Sequence, residues 1–217
     1  GIHASNTALI DGGTIKVEKS EEALEGKTVT INGGDLDLTA NDDGINAADG
    51  SSSEKTPGQA TAGVSLTITG GKIKINAQGD GLDSNGDLTI SGGEVYVDGP
   101  TNGGNGALDY DGNGTITGGT VVMVGSNGMA MGFGSNSKQA SILTNVSGNA
   151  GAKVTISDSS GKEILSYTAA KNFQSVLASS AAIKDGKSYT ITVNGQSTTA
   201  TASLTTQNAN GMGGGWK

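Results

Sequence analysis

The stretch "ITGGKIKI", residues 68–75, is echoed 22 residues later by "ISGGEVYV", residues 90–97. Each reads as two short runs of alternating apolar and polar residues around a Gly-Gly pair. Alternation with period two marks a strand, and paired glycines mark a corner between strands. The same phrase occurs as "IDGGTIKV" from Ile10, "INGGDLDL" from Ile31 and "ITGGTVVM" from Ile116. The five starts, at 10, 31, 68, 90 and 116, lie 21, 37, 22 and 26 residues apart. A basic period of 21–22 with loop insertions is the mark of a stacked repeat protein. No helical pattern fills the rest of a unit, which weighs against a leucine-rich repeat. The spacing predicts an all-β parallel β-helix with coils of about 21–26 residues, stacked about 4.8 Å apart.

Aligning the units sorts inside from outside. Ile31, Ile68, Ile90 and Ile116 form one inward column. Leu36, Ile73, Val95 and Val121 form a second, and Leu38, Ile75, Val97 and Met123 a third. No coil buries these alone; stacked coils make a continuous core. Thr30, Thr67, Thr89 and Thr115 point outward, as do Lys16, Asp37, Lys74, Tyr96 and Val122.

Composition narrows the partners. The 217 residues carry a net charge of −8, 38 glycines and no cysteine, and all thirteen basic residues are lysines. That charge argues against nucleic acid or an anionic membrane as a partner. No apolar run reaches the roughly 20 residues of a membrane span. The absence of cysteine excludes a disulfide framework and thiolate metal sites. An acidic surface suits divalent cations.

Between the strand pairs runs a second recurrence: "GIHAS" at Gly1, "EEALEG" at Glu21, "DDGINAADG" at Asp42, "GDGLDSNGD" at Gly79 and "NGALDYDG" at Asn105. Ile2, Leu24, Ile45, Leu82 and Leu108 fall in register as another inward column. The residues just after them, His3, Glu25, Asn46, Asp83 and Asp109, point outward. Two residues before them stand Glu22, Asp43 and Asp80. Carboxylates one coil apart repel by roughly 0.9 kcal/mol per pair in water and roughly 3.5 at an effective dielectric of 20. A bound cation reverses that sign. Calcium accepts six to eight oxygen ligands, including carbonyls and water. The expected metal is therefore Ca2+, with Glu22, Glu25, Asp43, Asn46, Asp80, Asp83 and Asp109 as candidate ligands. Asp-Gly and Asn-Gly are also ordinary turn pairs, and a single solvated Asp needs no metal. It is the repetition in register that favours the ion. Zinc is disfavoured by one histidine and no cysteine.

The "DGI" and "DGL" boxes alternating with "ITGG" resemble a bacterial family of carbohydrate-binding β-helix proteins related in shape to pectate lyases. Its founding member comes from a cellulolytic clostridium. The resemblance covers residues 1 to about 135. It implies a right-handed parallel β-helix, calcium between coils, and binding of cellulose or acidic pectic sugars without demonstrated cleavage. It lands on Asp43-Gly44-Ile45, Asp80-Gly81-Leu82 and, less well, Gly106-Ala107-Leu108-Asp109, which lacks the leading Asp. The chain opens inside a box, so it is expected to be the C-terminal part of a longer protein. Upstream coils, or another copy, would then meet its N-terminal edge.

An enzyme of this shape is less favoured. Most pectate lyases use an arginine as base, and this sequence has none. A lysine base needs a lowered pKa through burial or neighbouring cations, and Lys72 and Lys74 sit beside acids on a strand. The "NDDG" at Asn41 supplies a carboxylate pair, but without the histidine and arginine motifs of polygalacturonases. No catalytic residue or organic cofactor is assigned. Sugar contacts are sought at Tyr96 and Tyr110, with Lys72 and Lys74 for acidic sugars. The loop "SSSEKTPGQATAG", Ser51 to Gly63, accounts for the 37-residue step and would wall a groove or be a tolerated insertion. The outward threonine face also has the spacing of ice-binding arrays, a weaker reading because threonine suits any strand.

From Lys138 the Gly-Gly boxes stop. "AKVTISDSSGKEILSYT" reads as two strands around a turn, and "KDGKSYTITVNGQSTTATA" as a hairpin at Asn194-Gly195. "FQSVLASSAAI" is a strand or a short helix. The expected division is residues 1–137 as β-helix, 138–205 as a small antiparallel β cap, and 206–217 as a Gly/Met-rich tail. The sequence thus predicts a non-catalytic, secreted or cell-surface protein that binds polysaccharide, with polygalacturonate or cellulose as partner. The alternatives are an adhesive surface solenoid without a sugar site and, less favoured, a pectate-lyase-like enzyme.

Overall fold

The computed structural model describes residues 1–50 and 58–206. Most of the Ser51–Gly63 loop and nearly all of the 206–217 tail therefore lie outside the described residues. The described chain is all β. Its first strands are β1 (Ile2–Ile10), β2 (Thr14–Val17), β3 (Leu24–Ile31), β4 (Asp35–Ala40), β5 (Ile45–Ala47), β6 (Ser65–Ile68) and β7 (Lys72–Ala77). Then come β8 (Leu82–Ser84), β9 (Asp87–Ile90), β10 (Glu94–Asp98), β11 (Leu108–Tyr110), β12 (Gly114–Ile116) and β13 (Thr120–Gly125). The last third supplies β14 (Ser141–Gly148), β15 (Lys153–Ser157), β16 (Glu163–Thr168), β17 (Phe173–Ser179), β18 (Ser188–Val193) and β19 (Gln196–Thr201). Of "FQSVLASSAAI", Phe173–Ser179 is thus a strand.

A single right-handed parallel β-helix with a small separate cap is not the architecture. The strands form three sheets. The first is eight-stranded and wholly parallel, and it folds back on itself at β3. The first half of β3 pairs with β5 and leads on to β8 and β11; its second half pairs with β6 and leads on to β9 and β12. The fork has a local cause. "LEGKTVTI" carries no turn pair, so β3 runs unbroken, whereas Asn85-Gly86 and Asp111-Gly112 split the later units in two. The second sheet is seven-stranded and mixed: β2, β4, β7, β10 and β13 are parallel, and β17 and β14 continue it antiparallel. The third is a four-stranded antiparallel sheet in the order β16-β15-β18-β19.

Within the parallel sheets the units stack residue on equivalent residue. Ile31, Ile68, Ile90 and Ile116 pair in succession and are fully buried. So do Leu36, Ile73, Val95 and Val121. The Gly-Gly corners make this register attainable, each glycine for its own reason. At Gly92-Gly93, a Cβ on the first would collide with the Thr69 carbonyl of the preceding unit, and the second has φ +82°. Left-handed backbone costs an L-residue about 1–2 kcal/mol.

β13 separates two cores. Val121 and Met123 face the repeat interior, while Val124 faces a second cluster with Ile142, Val154, Ile156, Phe173, Val176 and Ile191. The third sheet therefore covers the outer face of the second. A buried polar lock holds this junction. Asp98 on β10 is 6% exposed. Its Oδ2 accepts the Tyr167 hydroxyl at 2.6 Å, and its Oδ1 accepts the Ala170 N–H at 2.8 Å. Lys171 beside them donates to the Ala77 carbonyl of β7.

Two stability outcomes follow from this geometry. Gly195→Ala, at φ +77° with open space around it, should cost about 1–2 kcal/mol in urea unfolding. Gly93→Ala meets the backbone of Gly70 and Gly71 as well, and should cost about 1–3 kcal/mol more. Tyr167→Phe removes a charge-assisted bond from a buried carboxylate and should cost about 1.5–3 kcal/mol. Tyr96→Phe loses only a 3.3 Å bond to exposed Glu94 and should stay within about 0.5 kcal/mol of wild type.

Candidate functional site: the acidic columns

The acids of the repeat line one side of the first sheet. β3, β5, β8 and β11 each contribute the residue after a buried aliphatic, and β1 the residue after the half-buried Ile2. His3, Glu25, Asn46, Asp83 and Asp109 pair in succession across these strands. Beside them run Glu22, Asp43 and Asp80, just before each strand. This second row is tied from unit to unit: the Asp80 N–H donates to Asp43 Oδ1 at 2.7 Å, and the Gly106 N–H donates to Asp80 Oδ1 at 2.5 Å. The small residue that follows each is a packing requirement. A Cβ at Gly81 would collide with Val97 and with the Ala107 carbonyl.

The structure thus brings all seven expected acid and amide residues to one surface, in two groups. Glu22 and Glu25 meet beside Asn46, and His3 Nδ1 lies 2.6 Å from Glu25 Oε2. Asp43, Asp80, Asp83 and Asp109 form the second group with Asp42 at its edge. Burial raises the pKa of each of these four, and neighbouring carboxylates raise it further. Asp43 is pushed up to about 6, Asp80 to about 7 and Asp83 to about 8. The charged groups acting most strongly on these three are all carboxylates. Burial first, then Glu25, raises Glu22, and burial first, then Asp111, raises Asp109.

Asn46 carries the most informative atom. The residue is 9% exposed, and its Oδ1 is buried with no hydrogen-bond partner among the described residues. It stands in the column between Glu25 and Asp83. Leaving a buried acceptor unsatisfied costs about 1–3 kcal/mol. The donor set around it is carboxylate and amide oxygen, the chemistry of calcium ligation. Among the described residues, however, no group of three or more His, Cys, Asp or Glu side chains is arranged to hold a metal ion.

The four residues expected to touch sugar fall elsewhere. Lys72 and Lys74 are exposed on β7 of the second sheet, not on the acidic side; Lys72 pairs in register with Asp35 and Glu94, and Lys74 with Asp37 and Tyr96. Tyr96 stacks face to face on Tyr167, centroids 5.5 Å apart, so one face of its ring is covered. Tyr110 is interior, 4% exposed, and donates to the Gly132 carbonyl at 2.6 Å. It follows outward Asp109 and so points inward with Leu108. Sequence reasoning missed the Asp98–Tyr167 contact, which joins residues 69 positions apart and leaves no local signal.

A family model described as "Carbohydrate-binding domain-containing protein" matches residues 1–215, and the chain belongs to that family. No curated protein matches the chain. No solved structure matches it either. Among the described residues no helix is long and apolar enough to cross a membrane, which says nothing of β-barrels.

The carboxyl groups fix a pH dependence. Their folded pKa values lie above the ordinary value of 3.8, so between about pH 4 and 8 the folded state binds more protons than the unfolded one. Stability then falls as pH rises. In EDTA, the melting temperature should drop progressively across that window. Asp83→Asn should flatten the fall between pH 6 and 8, and an unchanged profile in that variant would contradict the assignment.

Proposed function

We propose that this is a non-catalytic, extracellular polysaccharide-binding protein whose stacked units hold calcium. Carbohydrate binding rests on membership of the family. The calcium reading is carried by the orphaned Asn46 Oδ1 amid half-buried carboxylates whose strongest charged neighbours are other acids. Because no three acids converge, a calcium ion would draw on carboxylates of adjacent units. Asp43 with Asp80 and Asp83 with Asp109 are the pairs in question, and Asn46 Oδ1, backbone carbonyls and water would complete the shell. A calcium ion held by these residues would neutralise the columns and act as a Lewis acid toward sugar oxygens. The chain's own residues do the rest: the backbone bonds to Asp43 and Asp80 fix two carboxylates, and the glycine at position 81 lets adjacent units approach closely.

Polygalacturonate and cellulose are the proposed ligands, and a secreted or cell-surface location is the setting in which both are met. An acidic pectic chain would be repelled by bare columns and admitted once cations bridge them.

The test is thermal unfolding with excess calcium and with EDTA, followed by glycan titration. Ligand bound only by the folded state adds about 2.7 kcal/mol of stability at a hundred times its Kd. Calcium should raise the melting temperature, and Asp80→Asn/Asp83→Asn should abolish the rise. Polygalacturonate binding should disappear in EDTA. A calcium-insensitive melt would leave the columns as solvated acids and remove the ion from the proposal.

A further inference from the structure

A cleft of about 310 Å³ lies at the far end of the chain from the acidic columns, in the antiparallel part. The end of β14 supplies Ser147, Gly148 and the adjoining Asn149. The start of β17 supplies Phe173 and Gln174, preceded by Asn172, and the β18–β19 turn supplies Asn194. None of these side chains ionises. Four are carboxamides, each with a carbonyl acceptor and an NH2 donor. A saccharide hydroxyl is likewise donor and acceptor at once, so neighbouring ring hydroxyls match such groups. The volume lies at the lower end of the 300–1,000 Å³ typical of ligand pockets.

The cleft is held in shape from several sides. β14 bulges between Asn145 and Gly148 where it pairs with β17, and bulges re-aim side chains and terminate pairing. Gly148 must be glycine, since a Cβ there would collide with the Phe173 ring. That ring, 3% exposed, forms an apolar floor. The Asn172 Oδ1 accepts the Ala150 N–H at 2.8 Å, and the Ala152 N–H closes on the Asn149 carbonyl at 2.9 Å. Asn194 has φ +50°, as the tight hairpin turn requires. The side chains of Asn149, Gln174 and Asn194 make no hydrogen bond within the described residues. Three amides on anchored backbone thus face solvent together, with their bonding capacity unused by the protein.

We propose that this cleft binds a neutral saccharide of one or two rings, independently of any cation, through Asn149, Asn172, Gln174 and Asn194. The proposal rests on the carbohydrate-binding reading of the chain and gives that reading a second, chemically different surface. The columns select charge through a cation; the cleft selects hydroxyl geometry without one.

The experiment is calorimetric titration of the full chain in EDTA with neutral tetrasaccharides of β-glucan, xylan and mannan. Polygalacturonate in calcium is titrated in parallel. At least one neutral tetrasaccharide should bind wild type. Asn149→Ala/Gln174→Ala, both exposed and so compatible with an unchanged melt, should weaken that binding about tenfold or more, as expected for two lost hydrogen bonds. Equal binding by the amide variant would overturn the cleft while carbohydrate binding stood. Binding of polygalacturonate alone would also overturn the cleft and leave the columns as the sugar site. Binding of nothing in either condition would overturn both readings together.

Discussion

Backbone hydrogen bonds between equivalent residues of successive units fix everything else in this molecule, and glycines at each corner let them form. With strands about 4.8 Å apart, the first glycine of a corner lies against the carbonyl of the unit before it. At Gly70, Gly92 and Gly118 there is no space for a methyl group. The second turns the chain through left-handed backbone, as at Gly34, Gly71, Gly93 and Gly119. Once corners repeat, each position of a unit meets its counterpart in the next. Isoleucine then stacks on isoleucine without any choice of partner, and the core is the repetition of one contact.

The same register acts on the outside, where it is a burden. A column that places Ile45 on Leu82 on Leu108 also places Asn46 on Asp83 on Asp109. Burial removes water from these carboxylates and neighbouring acids add their fields, so the charged form is disfavoured twice over. Two responses exist: the groups take protons, as the raised values of Asp43, Asp80 and Asp83 describe, or a cation joins them.

How much of this could be read in the sequence differs from element to element. The Gly-Gly boxes gave the strands, the inward columns and the acidic rows, because each repeats five times or nearly so and is local. The three-sheet architecture was not legible. The fork depends on what "LEGKTVTI" lacks, and the reversal after β13 depends on β17 pairing across some fifty intervening residues. The hairpin at Asn194-Gly195 was legible; that its tip completes a cleft with β14 and β17 was not, since those segments meet only in the folded chain. Tyr110 is the instructive miss. The period-two rule placed Leu108 inside and Asp109 outside, and carried one step further it places Tyr110 inside, away from any surface sugar.

The distribution of charge differs between the two sheets of the repeat. The lysines of β7 alternate with acids of the adjacent strands, Lys72 between Asp35 and Glu94, so the second sheet is close to balanced where it is exposed. The excess negative charge is concentrated on the first sheet, along the columns. An anionic glycan approaching them meets a repulsive field that falls off over about 8 Å at physiological ionic strength. On the calcium reading proposed above, association there would depend on a cation that both partners share. A neutral glycan is indifferent to that field, and the amide cleft proposed above would hold it through hydrogen bonds alone. A chain carrying both proposed surfaces would grip a mixed polysaccharide at two points, and linking two weak contacts raises affinity without improving either one.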